Sequence, residues 1–300
     1  MSRIKLSEMD TRAPGHFEKD KTKKDIAALL EELDELQNLL YAESKNALLV
    51  VIQGMDASGK DGAIRNVIGK LNPQGVQVKS FKVPTAEEAA HDFLWRVHQH
   101  TPAKGMIQVF NRSHYEDIVI TRVHKYIDDQ TAKKRMEAIN NFEKLLQEHN
   151  HTSILKFYLH VSPKEQLERL NERIQNPQKQ WKYNENDFAE AKLWDIYMEM
   201  YEDCFEHCNY IPWDIVPADQ NWYKEYVIAS KVFETLKKLK ISRAHSYPIQ
   251  KAKYIFFSSK NQNFLISLSY FSKTFLTKFN KTLQKPKLII LGKFASWSWL

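Results

Sequence analysis

The sequence predicts an α/β fold in which a parallel five-stranded sheet is covered by helices on both faces. Three observations carry that expectation. Short apolar runs alternate with helical periods along residues 20–240, a glycine-rich turn directly follows the first run, and a later run ends in arginine and carboxylates. Strands separated by helices form parallel sheets, and their ligands sit at the C-terminal ends of the strands.

The elements follow in order. Residues 1–19 are polar and are expected to drape over the surface. Leu29, Leu30, Leu33, Leu36, Leu39 and Leu40 recur at helical spacing and predict an amphipathic helix over residues 20–43. Ala47-Leu48-Leu49-Val50-Val51-Ile52 reads as the first strand, with a helix expected over 63–70 and a second strand over 75–83. Thr85 with Glu88 has the spacing of a capping box, opening a helix expected to reach residue 99. Strand 106–111, a short helix over 113–121 and a long helix over 131–149 come next. Strand 152–161 then meets Ser162-Pro163-Lys164-Glu165, which supplies an N-cap, a proline at the first helical position and a capping glutamate. The last strand, 213–216, leads into a helix over 221–239.

Between a helix ending near Gln175 and another starting near Asp187 lies a polar segment, 176–186, carrying Lys179 and Lys182. Arg169 and Arg173 stand just upstream. Length and charge suit a lid that closes over phosphates. An ordinary solvated connection fits the same local pattern.

The turn after the first strand is Gly54-Met55-Asp56-Ala57-Ser58-Gly59-Lys60-Asp61-Gly62, which holds three of the chain's eight glycines. Strand, glycine-rich turn, lysine and helix together make a phosphate cradle. Glycines let successive backbone N–H groups turn inward, so Gly54, Ala57, Ser58, Gly59, Lys60 and Asp61 are the candidate phosphate-binding positions. Where a Ser or Thr usually follows the lysine, this chain has Asp61, and Asp56 lies inside the loop itself. Carboxylates beside phosphates repel them unless a cation intervenes. Hard oxygen ligands suit Mg²⁺, which takes one or two carboxylates and keeps several waters.

The third strand runs into Phe110-Asn111-Arg112-Ser113-His114-Tyr115-Glu116-Asp117. A phosphate-loop protein places a metal-orienting carboxylate and a charge clamp at that point. Arg112 can grip phosphate oxygens bidentately, and Asp117 could hold Mg²⁺ with Asp56 or take up the proton balance of the acceptor phosphate. Asn111 and Glu116 are candidates for nucleotide contacts. Histidines 91, 98, 100, 114 and 124 are poor partners for Mg²⁺.

The net charge of +7 is unevenly spread. Residues 241–300 carry nine lysines, one arginine and no acidic group, whereas residues 1–240 hold 34 basic and 37 acidic residues. The basic character belongs to the tail and gives little support to nucleic-acid binding. Cys204 and Cys208 lack further ligands with zinc spacing and read as reduced thiols, pointing to a cytoplasmic location. No run of 18 apolar residues occurs, so no membrane span is expected.

The strings GMDASGKDG, LNPQGVQVKSFKVPTAEE, HDFLWRVHQH, FNRSHYED and PWDIVPADQNWY resemble the second family of polyphosphate kinases, and within it the single-domain class III members. The resemblance covers residues 10–240. It implies a thymidylate-kinase-like P-loop kinase fold with a helical lid, and Mg²⁺-dependent transfer between inorganic polyphosphate and AMP or ADP, forming ADP or ATP. It implies that Asp56 and Asp117 are the two essential aspartates, Lys60 the loop lysine and Arg112 the phosphate clamp. Arg169, Arg173 and Lys182 belong to the lid. A homo-oligomer is expected. A polyanionic donor needs a basic track, which Lys60, Arg65, Lys70, Lys82, Arg112, Arg122, Arg173 and Lys182 could form if the fold gathers them. Two other readings remain open on residues alone: an ATP-dependent nucleoside-monophosphate or small-molecule kinase, and a P-loop protein that senses nucleotide or binds nucleic acid. Residues 241–300 lie outside the resemblance and are expected to stand outside the fold, with no helical or strand period long enough to define a core element. A shifted reading frame explains their composition, as does an appended basic segment.

Overall fold

The computed structural model describes residues 4–239, 254–259 and 262–267. The chain divides into two units, Met1–Arg243 and Ala244–Leu300.

In the first unit α1 (Lys19–Glu43) precedes β1 (Ala47–Gln53), α2 (Lys60–Asn66) and β2 (Val76–Ser80). The short helices α3 (Ala86–Ala89) and α4 (Trp95–His98) lead to β3 (Ile107–Asn111), α5 (Glu116–Val123) and α6 (Asp129–Asn150). β4 (Thr152–His160) is followed by α7 (Pro163–Gln175), α8 (Asn186–Ala191), α9 (Trp194–His207), β5 (Trp213–Pro217) and α10 (Asn221–Lys238). The sheet has five strands in the order β2-β3-β1-β4-β5, all neighbours parallel. This is the P-loop kinase fold that the sequence led us to expect.

β1 is buried at all seven positions because it is central and covered on both faces. Its continuous apolar run is the sequence trace of that placement. β2 lies at the edge and is exposed at three of its five residues. Helices α1, α2 and α10 pack together, as do α5, α6 and α9.

Several boundaries differ from expectation for local reasons. α2 begins at Lys60, three residues early, because Gly59 adopts a left-handed conformation and caps it directly. β2 stops at Ser80. The capping box forms, with Glu88 N donating to Thr85 Oγ1 (3.1 Å) and Thr85 N donating to Glu88 (2.9 Å). The helix it opens nevertheless ends at Ala89, because the Asp92 carboxylate accepts from Leu94 N (2.9 Å) and so competes with helical pairing.

A buried charged network ties β4 to the start of α5. Lys156 Nζ donates to Glu143 (2.9 Å), to the Tyr115 hydroxyl (2.8 Å) and to Cys208 O (2.9 Å). The Tyr115 hydroxyl in turn donates to Glu143 (2.6 Å), so the charges of this solvent-free pair are fully partnered. Cys204 and Cys208 are free and buried, and burial pushes the Cys208 thiol up to about 12. Among the described residues, no helix is long and apolar enough to cross a membrane.

In the second unit β6 (Tyr254–Ser259) pairs antiparallel with β7 (Gln262–Ser267). The runs Tyr-Ile-Phe-Phe and Phe-Leu-Ile of this hairpin are rich in strand formers. Other expectations for residues 241–300 lie outside the described residues.

Candidate active site

The C-terminal ends of β1 and β3 carry the two segments singled out from the sequence. After β1 the chain turns through Gly54 (φ 147°), Ala57 (φ 61°) and Gly59 (φ 94°). Ala57 holds a left-handed conformation that costs a non-glycine residue about 1–2 kcal/mol. At Gly59 a Cβ would land 2.1 Å from Lys224 Nζ, so only glycine permits that approach. The Ser58 hydroxyl is buried and has no hydrogen-bond partner in the protein.

Lys60 folds back over the loop and donates from Nζ to Gly54 O (2.7 Å) and Met55 O (3.0 Å). Burial lowers its pKa to about 8, helped by Arg112 and opposed by Asp56, Glu116 and Asp61. Arg112, at φ 60°, is the first residue after β3, and its N–H donates to Ile52 O of β1 (3.1 Å). Its guanidinium pairs with Asp56 from the glycine-rich loop and with Glu116 (3.1 Å) from α5. One planar fork therefore joins a carboxylate of the glycine-rich loop to one at the start of α5, a geometry that lysine cannot reproduce. Burial alone would lower the Arg112 pKa, but Glu116 and Asp56 outweigh it and raise it.

Glu116 is pushed up by burial against the pull of Arg112 and Lys60. Gln53, at the end of β1, donates from its amide nitrogen to Glu116 Oε1 (2.7 Å) and accepts from Ser113 Oγ (2.9 Å) and N (3.0 Å). Asp61 accepts from Asn111 Nδ2 (2.9 Å) and from Lys182 Nζ (3.1 Å), linking the phosphate loop to the segment after α7. Burial opposes its ionisation, yet these two partners hold its pKa below the usual carboxylate value. Arg173 pairs with Asp187 and donates to Lys182 O (3.4 Å). Among the described residues, no three His, Cys, Asp or Glu side chains cluster closely enough to hold a metal by themselves. Asp56 and Glu116, which share Arg112, are the two carboxylates gathered beside the phosphate loop.

Three expected residues stand elsewhere. Asp117 faces away from this cluster: its carboxylate accepts from Arg96 Nη2 (3.1 Å), and the charges acting on it are Arg96, Arg135 and His114. Adjacent residues at the start of α5 diverge by about 100° around the helix, so Glu116 occupies the place expected for Asp117. Arg122 is engaged by Asp203 (2.6 Å) and Asp129 (2.8 Å), which takes up its charge away from the loop. Arg169 lies behind the loop rather than on the lid, donating to Ala57 O (3.0 Å) and Ser58 O (3.1 Å), and also to Ala218 O and Asp219 O.

Sequence reasoning missed Arg96, Gln166 and Lys224. Gln166 Nε2 donates to Asp56 O (3.0 Å), bracing the loop from α7. Lys224 gave a signal: it shares a helical stripe with Ile228, Val232 and Leu236, all buried, where an apolar residue is expected. Nothing local marks the other two.

Residues 16–244 match the family model of Polyphosphate kinase 2. The chain is 44% identical to an AMP/ADP-polyphosphate phosphotransferase of Meiothermus ruber, over 82% of this chain and 92% of that protein. It is 42% identical to an ADP-polyphosphate phosphotransferase of Rhodopseudomonas palustris, over 74% of this chain and 81% of that one. Among solved structures, polyphosphate kinase 2 from Arthrobacter aurescens superposes with a TM-score of 0.79 at 40% identity, covering 82% of this chain and 90% of its own. With the phosphate loop after β1 and the Arg112 segment after β3 both inside the matched region, this chain belongs to the polyphosphate kinase 2 family.

Proposed function

We propose that this protein catalyses Mg²⁺-dependent phosphoryl transfer between inorganic polyphosphate and AMP or ADP, forming ADP or ATP. The observation that carries the reading is the convergence of Lys60 and Arg112, two desolvated cations, with Asp56 and Glu116 at the sheet's C-terminal edge. The names borne by the relatives from Meiothermus ruber and Rhodopseudomonas palustris support polyphosphate as donor and AMP or ADP as acceptor. A terminal phosphate oxygen of the nucleotide attacks the end phosphorus of the polyphosphate. A new P–O bond forms as the bridging P–O bond breaks, and the shortened chain leaves with the electron pair.

Each residue has a part in this reading. Lys60 and Arg112 stabilise charge on the transferred group, where positioning and electrostatics supply most of the acceleration. Asp56 and Glu116 would hold the cation, Glu116 taking the role expected of Asp117. Mg²⁺ held there would supply neutralisation of the phosphate charge. Asn111 keeps Asp61 oriented, and Lys182 and Arg173 face the polyanion from the lid. Free thiols at Cys204 and Cys208 fit a cytoplasmic enzyme, and a homo-oligomer remains part of the proposal.

The test omits ATP. Protein incubated with ADP, Mg²⁺ and polyphosphate should form ATP, and removing Mg²⁺ with chelator should stop it. No ATP formation under these conditions, with ATP-driven phosphorylation of AMP retained, would overturn the choice of donor.

A further inference from the structure

Behind the phosphate loop lies a second layer of positive charge that faces carbonyls. Lys224 of α10 is fully buried, and its Nζ donates to Asn221 Oδ1 (2.8 Å), Gly59 O (3.2 Å) and Ser58 O (3.4 Å). None of these acceptors is a carboxylate. A buried ammonium with only neutral ligands destabilises the fold, so its placement calls for a compensating role. In a trans peptide the C=O and the following N–H point in opposite directions. A cation fixing Ser58 O and Gly59 O therefore turns the N–H groups of Gly59 and Lys60 to the other side, toward the phosphate cradle.

We propose that Lys224 is a positioning residue, its ammonium holding the Ser58 and Gly59 peptides so that their N–H groups face the bound phosphates. The inference rests on the phosphate-transfer reading above. Arg169 performs the neighbouring part of the same task at Ala57 O and Ser58 O. The surroundings make the charge on Lys224 conditional. Burial lowers its pKa to about 7, Arg169 of α7 and Lys60 of α2 push the same way, and Glu225 of α10 and Glu165 of α7 oppose them. Phosphate arriving on the far side of the loop favours the charged form, so binding should draw in a proton.

The experiment measures proton uptake when polyphosphate binds in the presence of Mg²⁺, by calorimetry at about pH 7.5 in buffers of different ionisation enthalpy. Lys224, with a pKa near 7, and Lys60, with a pKa near 8, are both candidates for this uptake, and substitution of Lys224 separates them. Lys224→Met should reduce the uptake and lower kcat about tenfold or more, while Lys224→Arg, permanently charged, should recover part of kcat. Equal uptake in wild type and Lys224→Met, or a kcat within twofold of wild type, would overturn the proposal. If neither variant folds, the wild-type measurement decides alone: absence of net proton uptake refutes it. Wild-type ATP formation from ADP and polyphosphate is the control, since its failure removes the activity itself and not merely the role of Lys224.

Discussion

Converting each of two adjacent carboxylates to its amide, Glu116→Gln and Asp117→Asn, should separate chemistry from packing. The Asp117 carboxylate pairs with Arg96 at 3.1 Å, the two side chains being 12% and 5% exposed. Breaking a buried pair outright costs about 3–5 kcal/mol. Asparagine keeps the volume and an acceptor for Arg96, which also retains Lys82 O (2.8 Å) and Glu88 (3.6 Å). Burial already pushes the Asp117 carboxyl up despite Arg96, so part of the pair's attraction is offset by desolvation. The remaining loss should be about 1–2 kcal/mol, or about 2–8 °C in Tm for a domain of this size. At temperatures where it is folded, Asp117→Asn should retain activity within about fivefold.

Glu116→Gln should behave in the opposite way. Its carboxylate shares Arg112 with Asp56, and the amide removes charge from the point where a metal and a phosphoryl group would meet. Losing one preorganised electrostatic contact of this kind is worth about 3 kcal/mol, a factor of more than a hundred in kcat. Stability should change little, because burial already disfavours the charged form of Glu116. Initial rates of ATP formation at saturating Mg²⁺, read beside thermal melts, give both quantities. A hundredfold loss in Asp117→Asn with an unchanged melt, together with more than a tenth of the rate left in Glu116→Gln, would refute this sorting of the two residues.

Three further outcomes are expected. Lys60→Met should abolish transfer yet raise Tm at pH 7: the folded pKa of about 8 lies below the ordinary 10.5, so the charged lysine weakens the fold by about 3 kcal/mol below pH 8. Because the unfolded chain binds the extra proton between pH 8 and 10.5, wild-type stability should gain from this group across that window, and a lower Tm in Lys60→Met at pH 7 would contradict it. Lys182→Ala or Arg173→Ala should raise the polyphosphate KM severalfold at low salt, with the difference shrinking at high salt; equal KM values at both ionic strengths would leave the lid charges without a role. Truncation after Lys240 should leave ATP formation and Tm unchanged, since the site residues lie upstream, and a Tm drop of about 5 °C or more would show that the first unit draws stability from residues 241–300.

The strand-loop-helix unit of residues 47–66 was legible because its physics is local. Burial on both faces demands a continuous apolar run, and a tight turn near phosphate demands glycine. The carboxylate facing the loop was not legible, because Glu116 and Asp117 are neighbours at a helix start and the phase of α5 depends on distant packing. Arg169 and Arg173 share a face of α7, about 6 Å apart along its axis. That offset sends one to the loop carbonyls and the other to Asp187. Arg122 looked free in sequence because one of its partners, Asp203, stands 81 residues away and the other, Asp129, lies past the end of α5. Lys224 was legible in principle, as a charge on an apolar stripe, but its target lies on another element.

The same contrast bears on where the backbone strain sits. Of the five described non-glycine residues with positive φ, Ala57 and Arg112 lie at the site, near 60°, and Arg112 carries the guanidinium that joins Asp56 to Glu116. Strain of this kind persists only where the surroundings over-determine it. β1 and β3 supply one constraint, being paired from Leu48↔Ile107 to Ile52↔Asn111 and buried nearly throughout. The Lys156–Glu143–Tyr115 network supplies another, anchoring the residue just before Glu116 to β4 and α6. From the other side, Gln166, Arg169 and Lys224 grip the carbonyls of Asp56, Ala57, Ser58 and Gly59. The two loops are thereby held at fixed separation before any phosphate enters, and preorganisation of that kind is what phosphoryl transfer requires of a protein.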